Sequence, residues 1–367
     1  MKILYVTTIS LTINSFFKPH IEMLVNEGHQ VDVACNYSDL PIDDFYETLG
    51  CKNYQIDFSR TPISTSNIEA YKQLKKVIEE GGYDIVHCHT PNASVITRLV
   101  CRKFRKTRNL KVFYTAHGFH FYKGAPLANW IVYYPIEKLC SYFTDKIITI
   151  NEEDYNLACN KLRAQKACYI PGMGVDINKF KNTVVDRELK REELNIPREA
   201  YLLLSVGELN ANKNHEVIVR ALGKMNNPNI HYAIAGTGPL GDYLLEVAKS
   251  IGVEEQLHLL AYRNDVNELC KIADLFCFPS MREGLGLAAV EASASGLYVI
   301  AADTRGTRDI IKEDSAGILA KTNSAEEYAL LIKNNISKNV LLDEAESIKR
   351  FDIEHVKEIL KKIYVDN

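Results

Sequence analysis

Residues 275–296, LFCFPSMREGLGLAAVEASASG, decide the fold of this chain. Leu275–Phe278 is a short, wholly apolar run of the kind found in a buried parallel strand. A glycine-containing loop follows it, and a helix is predicted from about Leu287. Gly284 and Gly286 allow close approach of the backbone, and the free N–H groups at the start of the helix favour an anion such as phosphate. The stretch therefore predicts a strand, a ligand-binding loop and a helix within a parallel α/β sheet.

The same alternation continues on both sides of this stretch. Helices such as Ile68–Glu80, closed by Gly81 and Gly82, separate short apolar runs. The runs predict strands at Lys2–Thr7, Gln30–Cys35, Asp84–His89, Lys111–Ala116, Lys146–Ile150, Tyr201–Val206, His231–Ala235, Leu257–Leu260, Leu275–Phe278 and Tyr298–Ala301. Because 367 residues exceed the usual size of one domain, we expect two doubly wound, Rossmann-like α/β domains. Ligands of such sheets bind outside the carboxyl ends of the strands, so the two domains are expected to enclose a cleft.

The boundary between the two domains is predicted near residue 175. The segment Asp176–Glu199 is charged and lacks apolar periodicity, which is typical of a linker, and Pro171–Gly174 before it is the expected hinge. The first domain then spans residues 1–175 and the second 176–345. Residues 346–367 are assigned to a C-terminal helix, within a charged periodic stretch of about Asp343–Val365, that either stays with the second domain or returns to the first.

Composition excludes several classes of protein. The chain is 46% hydrophobic and 25% charged with a net charge of −3, so it is globular and lacks the basic excess of a nucleic-acid binder. Its nine cysteines form no Cys-x-x-Cys pair, which indicates neither a disulfide framework nor a zinc site. The first apolar run is too short for a signal peptide, and no run is long enough to span a bilayer. We therefore expect a cytoplasmic protein.

Two carboxylates accompany the expected anion site. Glu283 lies in the loop and Glu291 about one turn into the helix. Carboxylates are poor phosphate ligands but good acceptors for hydroxyl groups, so the combination suits a sugar attached to a diphosphate. Taken alone, two such glutamates are more often a solvated loop residue and a residue on a helix surface.

This segment resembles the Glu-x7-Glu signature of family 4, the retaining glycosyltransferases of the GT-B fold. The resemblance covers nearly the whole second half of the chain. It rests on Glu283-Gly-Leu-Gly286, Glu291-Ala-x-Ala-x-Gly296, Ser205-Val-Gly-Glu-Leu209 with Lys213-Asn214, Ala235-Gly-Thr-Gly-Pro-Leu240, Ala273-Asp274 and Gly174-Val-Asp176 with Phe180. The local pattern Arg282-Glu-Gly-Leu-Gly286 further resembles the corresponding sequence in enzymes of bacterial capsule and exopolysaccharide assembly.

The resemblance implies a role for each matching residue. Lys213 would face the diphosphate of a nucleotide-sugar donor, Glu291 would hold its ribose, and Glu283 would bind the transferred sugar. The backbone of Gly284, Leu285, Gly286 and Leu287 would complete the sugar and phosphate site. Thr115-Ala-His117-Gly118 resembles the family's cleft histidine, so His117 would contact the sugar or stabilise charge as the glycosidic bond opens. The first domain would receive the acceptor, and the second would bind the donor.

Two departures from the family pattern matter. Many relatives carry arginine where this chain has Glu208, and a carboxylate there repels phosphate. Either Arg282 or Arg305 supplies the missing cation, or Glu208 contacts something other than phosphate. The first loop, residues 7–14, also lacks the paired glycines common in the family, so its hydroxyl groups would have to replace backbone donors.

No metal or other cofactor is expected. The sequence contains no Asp-x-Asp, the motif with which many other glycosyltransferases hold a divalent ion, and His87-Cys-His89 has no partner at ligand spacing. Residues 236–241 match G-x-G-x-x-G, but Tyr201–Val206 precedes their strand, whereas a dinucleotide fingerprint follows the first strand of its domain.

A basic cluster in the first half suggests a membrane surface. It comprises Arg98, Arg102, Lys103, Arg105, Lys106, Arg108 and Lys111. Such a cluster is either a solvated helix end or, at Arg102, Lys103, Arg105 and Lys106, a contact with anionic lipid headgroups. The aromatic stretch 119–134 follows, and it is typical of a membrane interface or of a buried helix. We expect a peripheral protein at the inner face of the cell membrane, acting on a lipid-linked saccharide.

The sequence thus predicts a metal-independent hexosyl- or N-acetylhexosaminyltransferase that uses a nucleotide-diphosphate donor, with UDP favoured. Two alternatives stay open: a UDP-sugar 2-epimerase of the same fold, and a non-catalytic subunit that binds sugar nucleotides. The donor sugar and base, the acceptor, the linkage and the oligomeric state do not follow from the sequence.

Overall fold

A computed structural model describes residues 1–312, 316–336 and 346–366 of the chain. The chain folds into two compact units, of which unit 1 comprises Met1–Met173 with Val356–Asn367 and unit 2 comprises Gly174–His355. Unit 1 is therefore built from both ends of the chain. In the described ranges, no helix combines the length and the apolar character that crossing a membrane requires.

Unit 1 contains a seven-stranded sheet in the order β3-β2-β1-β4-β5-β6-β7, and every pairing is parallel. The central strands are buried along nearly their whole length, since helices cover both faces. The strands are β1 (Lys2–Ile9), β2 (Gln30–Asn36), β3 (Asn53–Gln55), β4 (Ile85–His89), β5 (Lys111–Ala116), β6 (Lys146–Thr149) and β7 (Lys166–Tyr169).

The helices of unit 1 connect successive strands. Helix α4 ends where Gly82 adopts the left-handed conformation, with φ of 63°, as the glycine pair predicts. The helices are α1 (Ser10–Phe16), α2 (Lys18–Asn26), α3 (Phe45–Thr48), α4 (Ser66–Gly81), α5 (Pro91–Thr107), α6 (Leu127–Ser141) and α7 (Glu152–Lys161), together with most of the final helix α17 (Ile353–Val365).

Unit 2 contains a six-stranded parallel sheet in the order β10-β9-β8-β11-β12-β13. Its first strand, β8, lies beside β9 and β11, so the strand order reverses at β8. The strands are β8 (Tyr201–Val206), β9 (Ile230–Ala235), β10 (Leu257–Leu259), β11 (Leu275–Phe278), β12 (Val299–Ala302) and β13 (Gly317–Ala320).

The helices of unit 2 begin directly after the interdomain connection. They are α8 (Ile177–Asn182), α9 (Arg187–Glu193), α10 (Glu216–Met225), α11 (Gly241–Ser250), α12 (Val266–Ile272), α13 (Leu287–Ala294), α14 (Arg305–Ile310), α15 (Ala325–Asn335) and α16 (Glu346–Lys349), with a 3₁₀ turn at Glu254–Gln256. Parts of the predicted second domain, residues 313–315 and 337–345, lie outside the described residues.

The ten predicted strands are confirmed, with shifts of at most two residues at their ends. The prediction omitted β3, β7 and β13, and all three are edge strands. Edge strands are partly exposed, and none of these three is buried along its whole length. β3 and β7 consequently lack the uninterrupted apolar run that identifies a buried strand. β13 is apolar throughout, so the prediction missed it although the signal was present.

The prediction of a linker at Asp176–Glu199 is wrong. The segment forms α8 and α9 and belongs to unit 2. Its central anchor is Arg191, which is buried, donates to the carbonyl oxygens of Ile272 and Ala200 and pairs with Asp274 at 2.9 Å. Because the buried anchor of this segment is an arginine, the segment lacks the apolar periodicity from which a packed helix is predicted.

The final helix attaches to unit 1 through its last turn. Tyr364 donates a hydrogen bond of 2.9 Å to the hydroxyl of Tyr5 on β1, and the Lys146 ammonium donates to the carbonyl oxygen of Ile363 at 2.5 Å. The part of the predicted charged helix at residues 343–345 lies outside the described residues.

Candidate active site

The carboxyl ends of β8 and β11 form the edge at which the predicted donor residues lie. These neighbouring strands flank the point where the strand order reverses, which is where open α/β sheets bind ligands. The loops that follow them are joined. The N–H of Met281 donates to the carbonyl oxygen of Asn212 at 2.7 Å, and the Asn212 amide donates to the carbonyl oxygen of Arg282 at 3.0 Å. The two loops are thus held together.

Lys213 and Glu283 meet across these loops. The Nζ of Lys213 lies 2.7 Å from Oε1 of Glu283, and the two side chains are 22% and 14% exposed. The ammonium also lies 5.1 Å from the centre of the Phe278 ring. The structure therefore brings a partly buried cation and a carboxylate together at the edge where the sequence predicts a diphosphate and a sugar.

Gly286 sets the start of helix α13. Its φ is 98°, and a Cβ at this position would lie 2.7 Å from the Phe278 ring, so conformation and space both require glycine. No side chain caps the helix, and Gly286 and Leu285 are buried while Gly284 and Leu287 are partly exposed. The first N–H groups of α13 are therefore not satisfied by a cap.

Glu291 lies in the second turn of α13. Burial raises the pKa of its carboxyl group from 4.5 to about 7, although the charge of Lys179 on α8 partly offsets the rise. Within the described ranges, no hydrogen bond or ion pair engages this carboxylate. A partly exposed carboxylate without a hydrogen-bond partner among the described residues is suited to accept hydrogen bonds from a ligand's hydroxyl groups.

The three side chains that bear on the missing family arginine have different environments. Glu208 is exposed and accepts a hydrogen bond of 2.9 Å from the Asn210 amide. Arg282 is also exposed. Arg305 is buried and donates to the carbonyl oxygen of Glu283 at 3.1 Å, so it holds the loop that carries Glu283.

The G-x-G-x-x-G stretch has a structural explanation. A Cβ on Gly236 would lie 1.9 Å from the carbonyl oxygen of Gly207, and one on Gly238 would lie 2.6 Å from that of Leu209. The glycines thus allow the loops after β8 and β9 to pack backbone against backbone. Because β9 is the second strand of its sheet, a dinucleotide fingerprint is not expected here.

In unit 1, His117 follows β5 and contacts a second histidine. Its Nε2 lies 3.2 Å from Nδ1 of His89, which ends β4. Burial lowers the pKa of His117 to about 4, so its ring is neutral at physiological pH. Burial and the neighbouring histidines hold the pKa of His89 well below its ordinary value.

The predicted first loop is corrected, because residues 7–14 form the end of β1 and the start of α1. The hydroxyl groups of Thr7, Thr8 and Ser10 are engaged within the protein. Thr8 exchanges a hydrogen bond of 2.7 Å with Thr90, and Thr7 and Ser10 donate to the carbonyl oxygens of Ile9 and Leu40. In the described part of the chain, no group of three or more His, Cys, Asp or Glu side chains has the arrangement of a metal site.

The comparisons with known proteins cover most of the chain. Residues 2–151 match the family described as Glycosyl transferase 4-like, and residues 186–351 match Glycosyl transferases group 1. EpsD of Bacillus subtilis (strain 168), a protein assigned as a glycosyltransferase, is 36% identical over 337 residues, or 90% of this chain and 86% of EpsD. The chain belongs to the glycosyltransferase family that these two models describe, and it is similar to EpsD.

Two further relatives extend the comparison. The Escherichia coli UDP-Gal:alpha-D-GlcNAc-diphosphoundecaprenol alpha-1,3-galactosyltransferase is 28% identical over 370 residues, which cover 94% of this glycosyltransferase and 91% of the E. coli enzyme. The crystal structure of Anabaena HepE in complex with UDP-glucose covers 100% of both chains with a TM-score of 0.79 at 19% identity. The predicted fold class, two parallel-sheet α/β domains of the GT-B type, is confirmed.

The basic cluster of this glycosyltransferase does not form one surface. Arg98 is fully buried and pairs twice with Glu137, at 2.8 and 3.1 Å. Arg105 binds both carboxylate oxygens of Asp145, at 2.9 and 2.7 Å. The prediction of Arg105 as a lipid contact is therefore corrected, because an intramolecular carboxylate already engages its guanidinium. The exposed residues of the predicted membrane group are Arg102, Lys103 and Lys106 on α5.

The aromatic stretch that follows the basic cluster packs inward. Phe121 is buried against Trp130 and Tyr134, and all three pack on the hydrophobic core of unit 1. The opposite side of α6 is instead aliphatic and exposed, with Leu127 at 74% and Ile131 at 66%. Val132, Ile136, Leu139 and Tyr142 complete this exposed face, which we call the α6 apolar face.

Three features of the site were missed from the sequence. They are the Lys213–Glu283 ion pair, the support of the Glu283 loop by Arg305 and the hydrogen bond between His89 and His117. The last had a signal, because His89 ends the strand next to the one that precedes His117. Side chains at the carboxyl ends of neighbouring parallel strands lie close together.

Proposed function

We propose that this glycosyltransferase is a retaining enzyme that moves a hexosyl or N-acetylhexosaminyl group from a UDP-sugar to a lipid-linked saccharide in bacterial surface polysaccharide synthesis. The observation that carries the proposal is the Lys213–Glu283 pair, which lies beside the uncapped start of α13 where β8 and β11 end. The E. coli relative, whose name gives a UDP-galactose donor and a diphosphoundecaprenol-linked acceptor, supports it. The UDP-glucose complex of HepE supports the donor class.

The donor site follows from the charges at this edge. Lys213, the backbone of Gly284 to Leu287 and the first N–H groups of α13 bind the diphosphate. Cations and helix N-termini both stabilise anions. Glu283 then exchanges its contact with Lys213 for hydroxyl groups of the transferred sugar. Glu291 accepts hydrogen bonds from the ribose diol.

The exposed Arg282 replaces the family's missing arginine. Its guanidinium makes no hydrogen bond or ion pair to the described residues, whereas Arg305 already donates to the Glu283 carbonyl oxygen. Glu208 stays in solvent with Asn210 and does not contact phosphate. Arg305 instead fixes the loop on which Glu283 lies.

The reaction proceeds on one face of the sugar. The bond between the anomeric carbon and the diphosphate oxygen breaks, and the acceptor hydroxyl oxygen bonds to the same face of that carbon. The proton of the hydroxyl passes to the departing diphosphate, so atoms and charges balance. Lys213 and the α13 N–H groups stabilise the developing negative charge without a metal, while His117 contacts the sugar or stabilises charge as the bond opens.

The acceptor side is proposed to work at the inner face of the cell membrane. The α6 apolar face exposes six large apolar side chains, between 42% and 74% each, and clusters of this kind mark interaction surfaces. One basic side chain of α5 lies near its end, since the Arg102 guanidinium is 5.6 Å from the Phe143 ring, just beyond α6. An exposed apolar face in the same unit as the exposed Arg102, Lys103 and Lys106 suits an anionic lipid surface.

Donor turnover tests the enzymatic proposal. Purified enzyme is incubated with UDP-glucose, UDP-galactose or UDP-N-acetylgalactosamine and with GlcNAc-diphosphoundecaprenol, and products are identified by mass spectrometry and by NMR of the new anomeric centre. We expect a lipid-linked product with the α configuration retained. A rearranged free sugar would identify an epimerase, and UDP binding without turnover of any donor would identify a binding subunit. Either outcome contradicts the proposal.

Flotation with anionic liposomes tests the membrane surface. Reversing the charges of Arg102, Lys103 and Lys106 to Glu, or changing Leu127, Ile131 and Leu139 to Ser, is expected to reduce flotation at least fivefold, since each basic residue contributes about 1 kcal/mol near such a surface. Reversal of the exposed Lys249, Lys321 and Lys333 of unit 2 is the matched control. Unchanged flotation of both test variants would contradict the proposal.

A further inference from the structure

The strongest unexplained feature is the environment of His89 in unit 1. His89 is 1% exposed, packs against Tyr5 with nearly parallel rings 5.3 Å apart, and lies 4.3 Å from Phe17 between ring centres. Its Nε2 is buried without a hydrogen-bond partner. Its one hydrogen bond in the described part of the chain joins Nδ1 to Nε2 of His117 at 3.2 Å.

A contact between two ring nitrogens constrains both rings. A neutral imidazole carries one N–H and one lone pair, so one ring must donate and the other must accept. The contact therefore couples the two tautomers: Nε2 of His117 carries a proton when Nδ1 of His89 does not, and lacks one when Nδ1 of His89 is protonated. The remaining nitrogen of His117, Nδ1, then has the opposite state, and it is neither hydrogen-bonded to described residues nor fully buried.

We propose that His89 is a positioning residue that sets the ring orientation of His117 and couples the tautomer of His117 to its own. This inference rests on the role proposed above for His117. The hydrogen bond keeps the accessible Nδ1 of His117 in one direction toward a sugar hydroxyl group, where it donates or accepts according to the tautomer of His89. Without His89, the His117 ring would lose this restraint, and only part of the population would present Nδ1 in the productive orientation.

The surroundings allow His89 to act as a rigid support. His87, two residues earlier on β4, lies 4.2 Å from His89 between ring centres. Its Nδ1 is 2.5 Å from the Tyr364 hydroxyl and its Nε2 is 2.7 Å from the Thr115 hydroxyl, so both ring nitrogens are hydrogen-bonded. The His87 ring, which packs against His89, therefore has little freedom to move.

Two substitutions at His89 separate positioning from packing. His89→Leu removes the hydrogen bond while it largely preserves volume, and His89→Asn retains a polar group near the position of Nδ1. His231→Leu in unit 2 is the matched control, because His231 Nδ1 makes a comparable contact of 2.9 Å with His258 Nε2. This control breaks a buried histidine pair outside the proposed site.

Three measurements are made on each protein: ¹⁵N NMR of the imidazole nitrogens, UDP affinity by calorimetry and donor turnover with the UDP-sugar that the wild type consumes. We expect complementary protonation of Nδ1 of His89 and Nε2 of His117 in the wild type, and a changed His117 tautomer ratio in His89→Leu. The kcat of His89→Leu should fall about 10- to 100-fold, as a misplaced catalytic group does, with unchanged UDP affinity. His89→Asn should recover most of the kcat, and His231→Leu should change neither quantity.

Two results would overturn the inference. One is a His89→Leu protein that keeps the wild-type His117 tautomer ratio and the wild-type kcat. The other is a wild-type protein in which Nδ1 of His89 and Nε2 of His117 are both protonated or both unprotonated. If the wild type consumes no UDP-sugar, the proposed function fails, but the NMR comparison still decides whether His89 orders His117.

Discussion

Lys213 and Glu283 form an ion pair of 2.7 Å between the two loops that end β8 and β11. In the family-based assignment, each of these residues binds a different part of the donor. The pair therefore keeps both charges compensated in the unliganded protein, and donor binding must exchange this contact for two others. This exchange makes the two residues separable by experiment.

Removal of the cation should weaken nucleotide binding itself. Lys213→Ala is expected to raise the Kd for UDP about 10- to 100-fold, since charge-assisted hydrogen bonds contribute about 1.5–3 kcal/mol. Calorimetry with UDP measures this effect. Lys224→Ala is the control, because Lys224 pairs with Glu326 at 2.6 Å elsewhere in unit 2. Equal UDP affinity in both variants would show that Lys213 does not bind the diphosphate.

Removal of the carboxylate should act on the sugar instead. Glu283→Gln is expected to bind UDP at least as tightly as the wild type, because the change releases Lys213. Turnover of the UDP-sugar should fall about 10- to 100-fold, since Glu283 orients the transferred group. If Glu283→Gln and Lys213→Ala both turn over donor at the wild-type rate, the site assignment is wrong.

The pH dependence of UDP binding should report Glu291. Its pKa of about 7 means that the carboxyl group is largely protonated at pH 6 and largely ionised at pH 8. Since ribose hydroxyl groups donate to the ionised form, UDP affinity should rise between these pH values in the wild type. Glu291→Gln should bind UDP weakly with no such rise. An identical rise in both proteins would assign it to another group.

The same group should affect stability in the opposite direction. A raised carboxyl pKa means that the folded state holds the proton more tightly than the unfolded state. The free energy of unfolding should therefore fall as pH rises from 4.5 to about 7, by at most about 3 kcal/mol. Urea denaturation of wild type and Glu291→Gln across this range measures the difference, and parallel curves would contradict it.

The α13 loop offers a test of backbone geometry. Gly286→Ala is expected to destabilise the protein by about 1–3 kcal/mol through its positive φ, and more through contact with the Phe278 ring. Gly252→Ala is the matched control, since Gly252 has a φ of 71° with nothing within 4 Å of the added Cβ. The Tm of Gly286→Ala in thermal unfolding should be lower than that of Gly252→Ala. Only Gly286→Ala should lose UDP affinity.

The buried and exposed arginines of α5 should behave differently. Arg98→Met leaves Glu137 buried without its partner, which costs about 3–5 kcal/mol of stability. Arg102→Met should cost less than about 0.5 kcal/mol, as expected for an exposed residue. Liposome flotation should show the reverse order. Arg102→Met should bind liposomes more weakly than the wild type, and folded Arg98→Met should bind them as the wild type does. Equal stability losses would contradict the distinction.

These arginines also show where sequence reasoning reached its limit. Strands such as β11 and β12 were predictable because burial on both faces leaves an unbroken apolar run. Glu283 and Glu291 were identifiable because their loop and helix carry a specific motif, and Lys213 because it belongs to a second motif after β8. The ion pairs of the arginines were not predictable. Arg98 and Arg102 carry the same charge, but a partner distant in sequence, Glu137, decides that Arg98 is buried. Arg191 misled the linker prediction for the same reason.

The contribution of Val356–Asn367 to unit 1 has a consequence for synthesis. Domains usually fold in the order in which the ribosome releases them. Here the sheet of the first unit emerges early, but Tyr364, which binds Tyr5 and His87, is translated only after the whole of unit 2. The half of the enzyme that is translated first is therefore the half completed last, and a nascent chain stalled before residue 356 should carry an unfinished first unit.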